Sequence, residues 1–139
     1  MMIDTKELMR GNKVIIGKGS DWEEVVVIDE IFDGIVGLQG REFTTLSTTL
    51  DPIPITEQLL LKNGFIKGNP ISNYYDYEKE CCGYWLTFKN NVSNMPKRDW
   101  FLHIDSADRC SVGGCDVQYV HQAQNLCNIL GFKLEFEIQ

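Results

Sequence analysis

Asp51-Pro52-Ile53-Pro54-Ile55-Thr56 is the stretch on which the fold turns. Two prolines two residues apart force an extended connector and remove backbone donors, so no central strand runs through it. Short β-branched runs precede it. Val14-Ile15-Ile16 is followed by the turn set Gly17-Lys18-Gly19-Ser20, and Val25-Val26-Val27-Ile28 reads as a strand. Asp33-Gly34 is a hairpin signal. Ile35–Leu38 and Phe43–Leu46 supply two more strands, and Asp4–Met9 forms a short helical turn closed by Gly11 and Asn12. Several short strands with tight turns predict a small SH3-like β-barrel or meander over residues 1–55.

Beyond the prolines the period changes. Thr56 caps a helix ending at Asn63-Gly64, with Ile55 and Leu60 placed as a hydrophobic staple. Tyr74–Lys79 and Tyr84–Phe88 read as strands around Cys81-Cys82-Gly83, and Asn90–Arg98, with Pro96, as a polar loop. Asp99–Asp105 alternates as a half-buried strand, and Ser106–Cys115, with Gly113-Gly114, reads as a loop. Asp116 is placed to cap a long helix, Val117–Leu130, with the stripe Val120, Ala123, Cys127 and Leu130 toward the core. Leu134, Phe136 and Ile138 alternate as a last strand. The fold expected is α+β: residues 1–55 as the β half, packed against residues 56–139, an antiparallel sheet with two helices in the order α-β-β-β-α-β.

The chain has 139 residues with 13 basic and 20 acidic side chains, a net charge of −7. The halves carry about −5 and −2, so neither has the basic surplus that neutralises phosphates. Nucleic acid is disfavoured as a partner, and an acidic inhibitor of a nucleic-acid enzyme stays open as a function. No stretch approaches the roughly 20 apolar residues of a membrane span. Asp4 and Glu7 stand where a signal peptide wants a basic end and an apolar run. With five cysteines, an odd count, the expected setting is a reducing cytoplasm with free thiols.

Three strings resemble an uncharacterised family of small proteins encoded by gut anaerobic bacteria and their phages. They are Met9-Arg10-Gly11-Asn12-Lys13-Val14, the run from Pro52 to Phe65 (PIPITEQLLLKNGF), and Tyr119-Val120-His121-Gln122-Ala123-Gln124-Asn125-Leu126. They touch the start, middle and end of the chain. The sequence departs after Leu130, where that family usually has Thr-Gly and Gly131 stands here. The resemblance implies an intracellular protein of phage or prophage origin and carries no activity with it.

No phosphate-binding loop, nucleophile elbow or His-Glu-x-x-His string occurs. His103, Cys110, Cys115 and His121, with six, four and five residues between successive members, have the ligand types of a tetrahedral zinc site but not its tight paired spacing. They define the competing reading, a small metal protein or enzyme. Cys115, ahead of the expected helix, would have its thiolate favoured by the macrodipole, yet His121 lies beyond easy reach. Cys81 and Cys82, if in a strand, point to opposite faces and do not chelate together. No catalytic residue, cofactor or metal is assigned.

The long helix carries no Asp, Glu, Lys or Arg. An exposed helix face normally carries charge. His121, Gln124, Asn125 and Asn128 are therefore expected to form a hydrogen-bonded contact surface, against the chain itself or against a partner protein. The function expected is a non-enzymatic binding or accessory protein.

Overall fold

The computed structural model describes residues 3, 5–41, 44–46, 49–68, 74–91 and 100–138. It contains two antiparallel sheets of five strands each and two α-helices, an α+β architecture. The chain forms two compact units. One is Met1–Pro54 with Tyr119–Asn125, and the other is Ile55–Gln118 with Leu126–Gln139. The first therefore takes a segment from far along the chain, beyond the single division at residue 55 expected from sequence.

In the first unit the strands are β1 (Lys13–Ile16), β2 (Glu24–Phe32), β3 (Ile35–Leu38), β4 (Thr44–Leu46) and β5 (Leu50–Asp51). Their order is β4-β3-β2-β1-β5: a four-strand meander whose first strand also takes the returning β5. Alternation buries Val14, Ile16, Val26 and Ile28, which join Ile3, Leu8, Val36, Leu38 and Leu50 in one aliphatic core. A register shift between Ile28 and Glu30 bends β2. The meander forms, but among the described residues the sheet is open, with β4 and β5 as its edges. Strands of three and two residues are too short for a ladder that would close a barrel. The expected opening turn is a 3-10 turn at Thr5–Glu7. Asp4 and Phe43, expected in that turn and in β4, lie outside the described residues.

In the second unit α1 (Glu57–Lys62) starts as its sequence dictates, with the Thr56 hydroxyl accepting from Leu59 N–H at 3.1 Å. Ile55 and Leu60 are buried. The sheet runs β10-β9-β8-β7-β6, where β6 is Ile66–Lys67, β7 Tyr74–Cys81, β8 Tyr84–Asn91, β9 Trp100–Ser106 and β10 Ser111–Val117. One face of the sheet buries Tyr77, Leu86, Phe88, Trp100, Leu102 and Ile104. Phe88 packs edge-on to Phe65 with ring centroids 5.2 Å apart, and against Phe136 at 6.3 Å. The Trp100 indole donates to Ile55 O at 3.0 Å.

Several expectations are corrected here. β6 was not anticipated. The Ser106–Cys115 loop is largely strand β10, paired with β9. Gly113-Gly114 mimics a loop signal, but Gly114 lies so close to β9 that a Cβ there would meet the Phe101 ring at 2.9 Å and Leu102 O at 3.0 Å. Asp116 and Val117 pair with Phe101 and Trp100, so Asp116 caps nothing. Helix α2 is Val120–Ile129, and the Tyr119 N–H is taken by Gln122 Oε1 at 3.1 Å. Leu130 is half-buried rather than core. The described residues of the last segment join no ladder. Leu134 and Phe136 alternate into the core, while the Asn63 side chain holds Glu137 by donating to its carbonyl at 2.9 Å and accepting from its N–H at 2.6 Å. Among the described residues the second-half order is thus α-β-β-β-β-β-α. Of the expected polar loop Asn90–Arg98, Asn90 and Asn91 belong to β8 and residues 92–98 lie outside the described residues, as does Asp99, where the next strand was expected to start.

Candidate functional site

Helix α2 carries no formal charge, and its first part belongs to the first unit. There its amides bind backbone and side chains near the start of the chain. Gln124, buried, accepts the Lys13 N–H at 3.0 Å. Asn125 donates to Glu7 O at 2.7 Å and accepts from Asn12 Nδ2 at 2.9 Å. Asn12 is fully buried and accepts the Met9 N–H at 2.7 Å through its Oδ1. Neutral amides suit such a site because they satisfy donors and acceptors without the cost of burying a charge. Asn128, half-buried, falls in the second unit.

His121 is buried to 1% exposure and stacks on Tyr119 with centroids 6.0 Å apart. Its Nε2 lies 3.6 Å from Glu7 Oε1, within ion-pair reach but outside hydrogen-bonding distance, and among the described residues neither ring nitrogen has a hydrogen-bond partner. Burial pushes the His121 pKa below its ordinary value, opposed by the Glu7 carboxylate.

The four expected zinc-type ligands are not gathered. His121 belongs to the first unit and the other three to the second. Cys115 lies opposite Leu102 in the ladder and Gly114 opposite His103, so Cys115 and His103 occupy opposite faces of the sheet. Cys110 is exposed. Among the described residues no three His, Cys, Asp or Glu side chains come together as a metal site. Cys115 sits inside a strand rather than before a helix, and burial pushes its thiol pKa up, not down. Cys81 and Cys82 do not diverge: their Sγ atoms are 3.8 Å apart.

The outer face of the second sheet presents polar residues in cross-strand rows, Glu78–Thr87–His103 and Glu80–Trp85–Asp105. His103 Nε2 is 2.8 Å from Asp105 Oδ1. Arg109 stacks on the Trp85 ring at 3.9 Å and reaches Glu78 at 3.3 Å. An imidazole oriented by a carboxylate can move a proton. Here its cross-strand neighbour Thr87 is buried and its hydroxyl donates to Glu78 at 3.3 Å.

On the first unit, Phe32, Ile35 and Leu46 form one row across three strands, Phe32 opposite Ile35 and Ile35 opposite Leu46. They are 53%, 37% and 55% exposed, while the next residue of β3, Val36, points into the core. The sequence places Ile35 and Leu46 in expected strands but not Phe32, since the strand read there, Val25–Ile28, stops short of the end of β2, and the row itself is missed. Its one legible signal was a large apolar residue on each side of the Asp33-Gly34 turn. The β2–β3 hairpin also carries Glu24, Asp29, Glu30 and Asp33 with no Lys or Arg between residues 24 and 40.

No family model matches the chain, and searches of curated proteins and of solved structures found no match.

Proposed function

We propose that this is a non-enzymatic binding or accessory protein, of phage or prophage origin and cytoplasmic, that acts by protein–protein contact. The observation that carries it is the exposed row Phe32–Ile35–Leu46 at the edge of the first sheet. Large apolar side chains gathered on an outer strand face cost solubility unless a partner covers them. The acidic hairpin beside the row, in which Glu24 pairs with Arg41 and Asp29 with Arg10 while Glu30 and Asp33 add further negative charge, supports a partner surface with an apolar centre and a basic rim. The strand order β4-β3-β2-β1-β5 supports reading the first unit as a small SH3-like barrel left open. Among the described residues no helix is long and apolar enough to cross a membrane.

A photo-crosslinking residue at position 46, in the native host, tests the reading. One dominant partner band should form, and should be lost when Phe32→Ser is added. A folded protein that gives no band, or the same bands with and without Phe32, would refute it.

A further inference from the structure

Cys81 ends β7 and Cys82 opens the two-residue turn to β8, with Cys81 paired to Tyr84 across the hairpin. Cys82 has φ +55° and Gly83 φ +85°. Two positive φ values in a row make a turn that usually takes Asn, Asp or Gly, and a cysteine there is out of the ordinary. The left-handed backbone swings the Cys82 side chain back beside that of Cys81, which is why the sulfurs approach to 3.8 Å. Cys82 is exposed and Cys81 half-buried, so the pair is open to solvent.

The spacing discriminates among thiol chemistries. A disulfide needs sulfurs about 2.05 Å apart and Cα atoms about 4.4 Å or more apart, whereas consecutive Cα atoms are held at about 3.8 Å. Two sulfurs held by one atom at about 2.3 Å each stand at most about 4.6 Å apart, and closer when the angle between the bonds is bent, so at 3.8 Å a small rotation of the exposed Cys82 side chain lets one atom bridge them. The pair therefore fits a bent two-thiolate centre. Zinc would want four donors, and no third ligand gathers here among the described residues.

We propose that Cys81 and Cys82 together form a binding site for a trivalent arsenical, which is complete with two thiolates and its own organic substituent. Each sulfur displaces one hydroxide from arsenic. The two thiol protons leave with those hydroxides as two waters, and no electron changes hands. The probe is phenylarsonous acid, added to the reduced full-length protein with excess glutathione and read by native mass spectrometry. The expected result is one phenylarsenic per chain, retained against glutathione and removed by a small dithiol. Cys82→Asn, which suits the left-handed turn, should keep the circular dichroism of the parent and lose the adduct. Cys110→Ser should keep it. An adduct absent from the folded parent, formed only after unfolding, or still present in Cys82→Asn would overturn the assignment.

Discussion

The two units hold themselves together with different chemistry. The core of the first is aliphatic, from Ile3 to Leu50, and the ties that α2 makes inside it are neutral amides, Asn12 with Asn125 and Gln124 with the Lys13 backbone, while its ion pairs, Arg41 with Glu24 and Arg10 with Asp29, lie nearer to water. The core of the second is rich in aromatics, with Phe65, Phe88 and Phe136 in mutual contact and Tyr77 edge-on to Trp100 at 5.5 Å. Beside neutral ties such as Asn63 to the Glu137 backbone, it has charged ones near water: Glu57 accepts from Tyr77 at 2.7 Å and from Lys67 at 2.9 Å, and Arg109 reaches Glu78. The surroundings of these ties account for the absence of charge on α2. A polar helix side that lies inside a unit does best with groups that cost little to desolvate. A polar sheet edge near solvent can use ion pairs at little cost and for little gain.

The largest effect separates the two cores. Phe88→Ala removes a ring held between two others and should lower stability by about 3–5 kcal/mol in urea unfolding. Leu38→Ala in the first core should cost about 2–5 kcal/mol. A Phe88→Ala loss below that of Leu38→Ala would contradict the importance given to the aromatic cluster.

Next comes the amide node. Asn12→Ala leaves the Met9 N–H and Asn125 Oδ1 without their partner, for a loss of about 1–3 kcal/mol. Asn125→Asp sharpens the test. It retains an acceptor for Asn12 but exchanges the donor to Glu7 O for a carboxylate oxygen, so it should destabilise although the shape is unchanged. Tolerance of Asp at 125 would break the claim that donor identity matters there.

His121 supplies the pH dependence. Its folded pKa is lowered by burial, so the unfolded chain takes up the proton first as pH falls. Stability should be level above the unfolded value of about 6.5 and decline as pH drops from there through the folded pKa. His121→Leu should flatten that part of the profile in urea midpoints measured between neutral pH and mild acid. A parent and variant with parallel profiles would show that His121 does not titrate between the two states.

The smallest effect is expected at the outer sheet face. Arg109→Ala should cost under about 1 kcal/mol, and less in high salt, because its bridge to Glu78 is exposed. A larger, salt-independent loss would instead point to the packing of the guanidinium on Trp85.

Much of the fold was legible where one residue type has one job. Asp33-Gly34 marked a hairpin, Thr56 a helix start and Asn63-Gly64 a helix end, because each acts on neighbours a few residues away. Gly113-Gly114 misled because glycine serves both turns and close strand approach, and only the distant Phe101 decides which. Val117 and Gln118 were drawn into the helix by their apolar and amide character, while pairing with Trp100 holds Val117 in a strand. The Leu134–Ile138 alternation was read correctly as burial for Leu134 and Phe136, but the described residues of this segment join no ladder, and Glu137 is held by the Asn63 side chain. In the candidate site the missing charge on α2 was visible, but its partners were not. Asn12 read as the end of a turn, and nothing local ties it to Asn125, which lies 113 residues later.

The charge-free helix uses its amides inside the chain, with Asn12 and Asn125 as one coupled unit. A double-mutant cycle of Asn12→Ala and Asn125→Ala, read by urea unfolding, tests it most directly. Coupling of about 1 kcal/mol or more is the predicted result. Two losses that simply add, or an Asn125→Ala variant as stable as its parent, would contradict it.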